Sequence, residues 1–224
     1  MITRIPAPIV APMNMRRRAI MSSDMNTADD WTLYASGAGA TGIFTTTALN
    51  TDGNRVGVLD CQTGTTAAGW SGAANAVRDS VVLGSRFHRY VWIGKIPVLG
   101  TAAQSFNAIV GFHDRANSTL PTDGAYFNYH YATNGGRWQS IVYAAGVTTG
   151  AIDTGITVDT GWHSMEITVD IDDTARFYID GVFVDSQAVG LGATAADARI
   201  TKLIGTTSSS MYIDAMSLEI DVDR

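Results

Sequence analysis

The chain has a single cysteine, Cys61, in 224 residues. No intrachain disulfide can form, so the fold must stand on its hydrophobic core, which a chain of this length can supply. Glutamate is nearly missing too: Glu166 and Glu219 are the two present, and the other nineteen of the twenty-one acids are aspartates. Charged residues make up only 16%, a scarcity that argues against a helical protein rich in Glu and Lys. The four histidines, His88, His113, His130 and His163, are scattered, with no His-x-His or His-x-x-x-His pair. Zinc therefore has no ligand set, and no metal or other cofactor is expected. No stretch approaches the ~20 apolar residues of a membrane-spanning helix. Pro6, Pro8 and Pro12 break the first apolar run, and Arg16, Arg17 and Arg18 stand where a cleavage region would lie. Neither an export signal nor a membrane span is expected.

What is present is the period of a half-buried strand. Met165, Ile167, Val169 and Ile171 alternate with Glu166, Thr168 and Asp170, placing apolar side chains on one face. Asp172, Asp173 and Thr174 make a turn, a second strand runs over residues 175–179, and Asp180-Gly181 separates Ile179 from Val182. Asp-Gly between apolar runs is the signal of a two-residue type I′ hairpin, because both positions need positive φ. Further strands are predicted at 31–34, 42–48, 55–62, 79–83, 87–96, 106–112, 124–131, 137–143, 199–204 and 210–220. The alanine-rich segments 67–76 and 190–198 could each hold a helical turn. In the last strand Tyr212, Met216, Leu218 and Ile220 share one face while Ile213 and Ala215 lie on the other. Apolar groups on both faces predict a strand central between layers. The fold class is all-β, with one domain over residues 29–224.

Residues 1–28 read as an extended arm, either anchoring or strand-like, with a loose terminus or a strap across its own domain as the alternative. Ile5, Pro6, Pro8, Ile9, Val10 and Pro12 favour polyproline-like backbone without internal hydrogen bonds. Residues 1–23 carry Arg4, Arg16, Arg17 and Arg18 and no acid, whereas the remainder carries eleven bases and twenty-one acids. A basic, apolar arm on an acidic body suits a protein neighbour; an acidic body repels phosphate, which disfavours nucleic acid.

Catalytic chemistry finds little support. Glycoside hydrolysis needs two carboxylates flanking a sugar, and the two glutamates are far apart in sequence and isolated. Asp170, Asp172 and Asp173 would offer oxygens to calcium, but their spacing is that of a turn and lacks the EF-hand glycine and terminal glutamate. Gly69-Trp70-Ser71-Gly72 is out of register with the Gly-x-Ser-x-Gly elbow. Asn117-Ser118-Thr119 is a formal glycosylation sequon expected to be a loop. Binding has more to offer. Tyr126, Tyr129, His130, Tyr131, Trp138 and Tyr143 crowd a hairpin around Asn134-Gly135-Gly136. Phe127, Tyr129 and Tyr131 share one strand face; Tyr126, Asn128 and His130 share the other. One face must be core; if the other is open, stacking and hydrogen bonding to a sugar follow. The candidate glycan-binding residues are Tyr129, His130, Tyr131 and Trp138.

Residues 124–131 with Arg137-Trp138-Gln139-Ser140, then Asp153-Thr154-Gly155, Trp162-His163, Phe177-Tyr178-Ile179-Asp180-Gly181 and Met211-Tyr212-Ile213-Asp214 run in a telling order. In that order they resemble concanavalin A-like (lectin/glucanase) jelly-roll domains, particularly those of bacteriophage virion proteins. The resemblance covers residues 120–220 well and residues 29–119 by strand rhythm alone. It implies two facing antiparallel sheets of about fourteen strands, packed ~10 Å apart. It further implies a non-enzymatic virion component, such as a capsid decoration, cement or fibre-like subunit. The arm residues Ile5, Pro6, Pro8, Ile9, Val10, Pro12 and Arg16–Arg18 would anchor it to other capsid or tail proteins. A closed homo-oligomer, with a trimer suiting such roles, is the matching assembly. The alternatives are a lectin-like module that recognises host glycans and, disfavoured, a glycoside hydrolase.

Overall fold

The computed structural model describes residues 17–23, 31–45, 57–75, 81–84, 86–114, 120–144, 147–190 and 192–222. Among them, regular structure is strand throughout, apart from a 3-10 turn at Asn134–Gly136. In chain order the strands are β1 (Arg17–Ser23), β2 (Trp31–Ser36), β3 (Ala40–Thr45), β4 (Val58–Thr63), β5 (Trp70–Asn75) and β6 (Val81–Val82). Then come β7 (His88–Lys95), β8 (Ser105–His113), β9 (Gly124–His130), β10 (Arg137–Ala144) and β11 (Val147–Thr157). The last five are β12 (His163–Val169), β13 (Thr174–Ile179), β14 (Val182–Ala188), β15 (Ala193–Ile204) and β16 (Ser210–Val222). No helix among the described residues is long and apolar enough to cross a membrane.

These strands form two eight-stranded sheets. The first has the order β14-β13-β12-β7-β16-β4-β3, with β1 also on β16; the second has the order β11-β10-β9-β8-β15-β5-β2, with β6 on β15. Neighbours distant in sequence, such as β7 with β12 and β16, or β15 with β5 and β8, are the chain's crossings between layers in a jelly-roll sandwich. The expected hairpin is present: Asp180 and Gly181 take φ of 51° and 76° between the paired Ile179 and Val182.

The core lies between the sheets. Tyr90, Trp92, Met165, Ile167 and Phe177 of the first sheet meet Phe106, Val110, Phe112, Phe127 and Trp138 of the second. Phe127 and Phe177 cross the gap edge to face, with centroids 5.3 Å apart at 82°, a favoured aromatic geometry. At one end the interior is polar. Ser140 Oγ donates to Asp185 Oδ2 at 2.6 Å and Gln187 Nε2 donates to the Ser140 carbonyl at 3.2 Å, tying β10 to β14.

Two expectations are corrected. Residues 67–76 and 190–198 do not form helical turns: β5 runs through the first and β15 begins in the second. Small residues are required there by close approach of strands, since a Cβ on Gly72 would lie 2.4 Å from the Ala198 carbonyl oxygen. The last strand is central in its sheet, but not because both faces are covered. A register shift against β7 between Ile213 and Ala215 re-phases it, so Met211 and Ile213 point inward before the shift and Met216 and Leu218 after it. Within the expected anchoring or strand-like arm, Arg17 to Ser23 form a strand paired with β16 from Arg17↔Val222 to Ser23↔Met216. Ile5, Pro6, Pro8, Ile9, Val10, Pro12 and Arg16 lie outside the described residues, as does the sequon at Asn117.

Candidate functional site

Period-2 alternation aims half of the second sheet's side chains away from the core. On β15, Ala196, Ala198 and Ile200 face inward, so Asp197 and Arg199 face out. On β8 and β9 the outward residues are Ile109, His113, Tyr126 and Asn128; on β10 they are Gln139, Ile141 and Tyr143. This outer face is not an open polar surface. Asp197, Arg199, His113 and Tyr126 are each 1% exposed.

Asp197 is the centre of the network. The Tyr34 hydroxyl donates to its Oδ1, and His113 Nε2 lies 3.4 Å from its Oδ2. His113 meets Tyr126 edge to face at 6.0 Å, and Tyr126 stacks on Tyr143 at 6.3 Å and 2°. Beside them Asn128 Nδ2 donates to Gln139 Oε1 at 3.5 Å. Burial pushes the Tyr34 phenol well above its ordinary pKa, and the Asp197 charge pushes it the same way. Tyr34 therefore stays protonated and serves as a standing donor to the carboxylate. A carboxylate, an imidazole, a phenol and a guanidinium are acid–base chemistry in kind, but here they are closed away from solvent. Sequence reasoning missed Tyr34, Asp197 and Arg199. The signal was the alternation of Ala195, Asp197, Arg199 and Thr201 with Ala196, Ala198 and Ile200, hidden by alanine's neutrality toward strand and helix.

The candidate residues named from sequence separate. Tyr129 and Trp138 lie in the core at 2% and 1% exposure, with ring centroids 5.8 Å apart. Tyr131 is half-buried against the same core. His130 alone of the four is on the outer face, where its Nδ1 pairs with Thr133 Oγ1 at 3.0 Å. Burial lowers its pKa, so the ring is neutral at pH 7. The rim continues with Arg137 Nη1, 3.1 Å from Asp153 Oδ2.

The two glutamates are not isolated. On the outer face of the first sheet, Arg89 donates from Nε and Nη2 to Glu166 at 2.9 and 2.8 Å, and its Nη1 lies 4.0 Å from Glu219. Both carboxylates flank the Arg89 guanidinium from the two strands that neighbour β7. Asp170 and Asp172 are likewise engaged: Arg176 reaches them at 2.9 and 3.3 Å, and the Thr174 amide donates to Asp172. His163 is clamped between two carboxylates, Nδ1 2.8 Å from Asp180 Oδ2 and Nε2 3.0 Å from Asp159 Oδ1. Its burial opposes the charged form, but the hydrogen bonds to Asp180 and Asp159 outweigh it and raise its pKa. Cys61 is buried, and burial pushes its thiol pKa far up, so it is unreactive.

The two antiparallel sheets and their crossings give the concanavalin A-like jelly-roll fold. Solved structures with this fold include a carbohydrate esterase of the Shiga toxin-encoding bacteriophage phi24B (14% identity, TM-score 0.53, covering 87% of this chain and 92% of that one). They also include the Emp47p carbohydrate recognition domain (11% identity, TM-score 0.57, 91% and 95% covered). The chain belongs to the SO2946-like family: residues 54–221 match its C-terminal domain. SO2946 of Shewanella oneidensis MR-1, a protein of unknown function, has a similar structure at 16% identity and TM-score 0.65, covering 92% of this chain and 87% of that one. No curated protein matches the chain by sequence.

Proposed function

We propose that the protein is a non-enzymatic structural subunit of a bacteriophage particle, a capsid decoration, cement or fibre-like protein assembled in the host cytoplasm and held to its neighbours by its N-terminal arm. The observation that carries this reading is the pairing of β1 with β16 over seven residues. Residues 1–16, which hold Ile5, Pro6, Pro8, Ile9, Val10, Pro12 and Arg16, are joined directly to a sheet strand. Any contact they make is passed to the sheet through β1. Apolar burial at ~25 cal/mol per Å² offsets the entropy of ordering such a segment. The absence of enzymatic function is supported by the closed state of Asp197, His113 and Arg199 and by the pairing of both glutamates with Arg89. The phage origin of one protein of similar fold fits the setting. A closed homo-oligomer, such as a trimer, completes the proposal.

The test is co-sedimentation with particles assembled without this subunit. Full-length protein should pellet with them, and protein lacking residues 1–16 should stay in the supernatant. Equal pelleting would refute the arm anchor. A second reading, glycan recognition, is favoured by the half-exposed rim of His130, Arg137 and Asp153 beside Asn128 and Gln139.

A further inference from the structure

The connections from β7 to β8 and from β15 to β16 enclose a cavity of about 230 Å³ at one end of the sandwich. Pro97, Val98, Leu99, Phe106 and the Tyr212 ring form its apolar part, and none of its lining residues is charged. Thr207, Ser208 and Ser210 spend their hydroxyls within the protein. Thr207 Oγ1 accepts from Gln104 Nε2 at 3.1 Å, Ser208 Oγ accepts from the Gly64 amide at 3.1 Å, and Ser210 hydrogen-bonds the Asp60 carboxylate. Gln104 Oε1 is buried, out of a partner's reach. What the cavity offers a partner is mainly hydrocarbon. Val98 is 71% exposed beside it, and Leu203 and Ile204, which end β15 and lead into the same connection, are 42% and 52% exposed. Apolar side chains left at the surface together mark a contact site.

The two connections are held in place by their own hydrogen bonds. The Gly100 amide donates to the Tyr129 hydroxyl at 3.1 Å, Thr101 and Gln104 exchange backbone bonds, and the Ser209 amide donates to Thr63 Oγ1 at 3.0 Å. A partner therefore meets a shaped surface and pays little to order it. The opposite end of the molecule is where the arm joins the fold. Ser210, which lines the cavity, and Val222 are the two ends of β16. Arg17, the first residue of β1, pairs with Val222. β16 has 13 residues, so the arm joins the sheet about 40 Å from the cavity at the rise of a strand.

From this geometry we infer that the cavity receives the Pro8-Ile9-Val10 segment of a neighbouring copy of the chain. The inference rests on the reading of residues 1–16 as an anchor and names what they hold. Residues 5–12 comprise three prolines, two isoleucines, a valine and two alanines, without a charge. Proline-rich extended segments dock on aromatic and aliphatic surface with little backbone freedom to lose, and the uncharged, apolar cavity suits them. The arm of the same molecule cannot fill it. Ile9 precedes Arg17 by eight residues, a reach of about 25 Å in polyproline-like backbone and under about 30 Å fully extended. Both fall short of the cavity, so the occupant comes from a second copy. Arm and cavity at opposite ends make the contact head-to-tail, which closes into a ring when the rotation between copies allows.

Sedimentation velocity of the full chain over a concentration series tests it, with no particles present. The natural chain should self-associate. Ile9→Asp in the arm and Val98→Asp at the cavity should each weaken association about tenfold or more, the scale of one lost apolar side chain. Val98→Lys gives the same readout if thermal melting shows Val98→Asp to be unfolded. The mixture of the two aspartate variants is decisive. One supplies an intact cavity and the other an intact arm, so together they should form a dimer and nothing larger. The inference is overturned if the natural chain stays monomeric, if a folded Val98 variant associates as tightly as the natural chain, or if the mixture stays monomeric. A chain monomeric in solution that still pellets with particles through residues 1–16 would overturn this inference and leave the anchor reading standing. Equal pelleting without those residues would sink the anchor reading, so the two failures are told apart.

Discussion

Replacing Tyr34 by phenylalanine isolates the hydrogen bond on which the outer network of the second sheet depends. The ring stays where it is, 5.4 Å from the Trp70 ring, so packing is preserved and only the hydroxyl is lost. That hydroxyl donates to Asp197 Oδ1, and Asp197 is 1% exposed. Water cannot take its place without opening the face. Removing one donor from a buried acceptor costs about 2 kcal/mol, toward the upper part of the range when the acceptor is a carboxylate. For a chain of this size each kcal/mol lowers Tm by about 2–4 °C, so Tyr34→Phe should melt about 4–8 °C lower. Asp197→Asn and the double variant complete a cycle; the double loss should be smaller than the sum, because the two changes remove one shared contact. Thermal unfolding followed by calorimetry at pH 7 reads all four proteins. If Tyr34→Phe melts within about 1 °C of the natural protein, a change too small for a lost buried bond, the face is solvated and open. The case for a closed, non-catalytic network would then fail.

Three further expectations follow from other parts of the molecule. Tyr129→Ala and Trp138→Ala should each lower unfolding stability by about 3–5 kcal/mol, since both rings fill the core; denaturant titration reads this, and losses under about 1 kcal/mol would mean the rings face solvent. The His163 clamp contributes stability that is full below the ordinary histidine value of 6.5 and is lost as pH rises through the raised folded value. Asp159, held low by the Gly161 amide and by His163, contributes above 3.8 and loses that contribution as pH falls through its depressed folded value. Melting of the natural protein should thus exceed that of His163→Gln most between those two pH values, and a constant difference across pH would contradict the clamp. Removal of residues 1–16 should leave a monodisperse protein, whereas removal of residues 1–28 takes away β1 and leaves the edge of β16 unpaired from Met216 to Val222. Exposed edges associate, so gel filtration should show the longer truncation aggregating; identical profiles would mean that β1 adds nothing to the sheet.

The hairpin at Asp180-Gly181 and the alternation before it were legible because local chemistry dictates them: positive φ at two positions, and one wet face along β12. The strand β5 and the first half of β15 were not, because where neighbouring strands approach closely the residues must be small. Gly72, Ala73, Ala74 and the alanines from Ala193 to Ala198 carry no hydrophobic period to read. The aromatic hairpin misled for a different reason. Both faces of β9 are buried, Phe127 and Tyr129 against the main core and Tyr126 in a second cluster with Ile109 and Ile141. Composition alone could not say which face was interior. The reversal of facing along β16 depends on a register shift that only the pairing with β7 reveals.

Site-specific photo-crosslinking in assembled particles tests the arm directly. A benzophenone amino acid at Ile9 should form a covalent adduct with a neighbouring virion protein on irradiation. The same group at Phe183, 53% exposed on the outer hairpin, should form none. Capture from Phe183 with none from Ile9 would place the contact on the jelly roll and contradict anchoring by the arm.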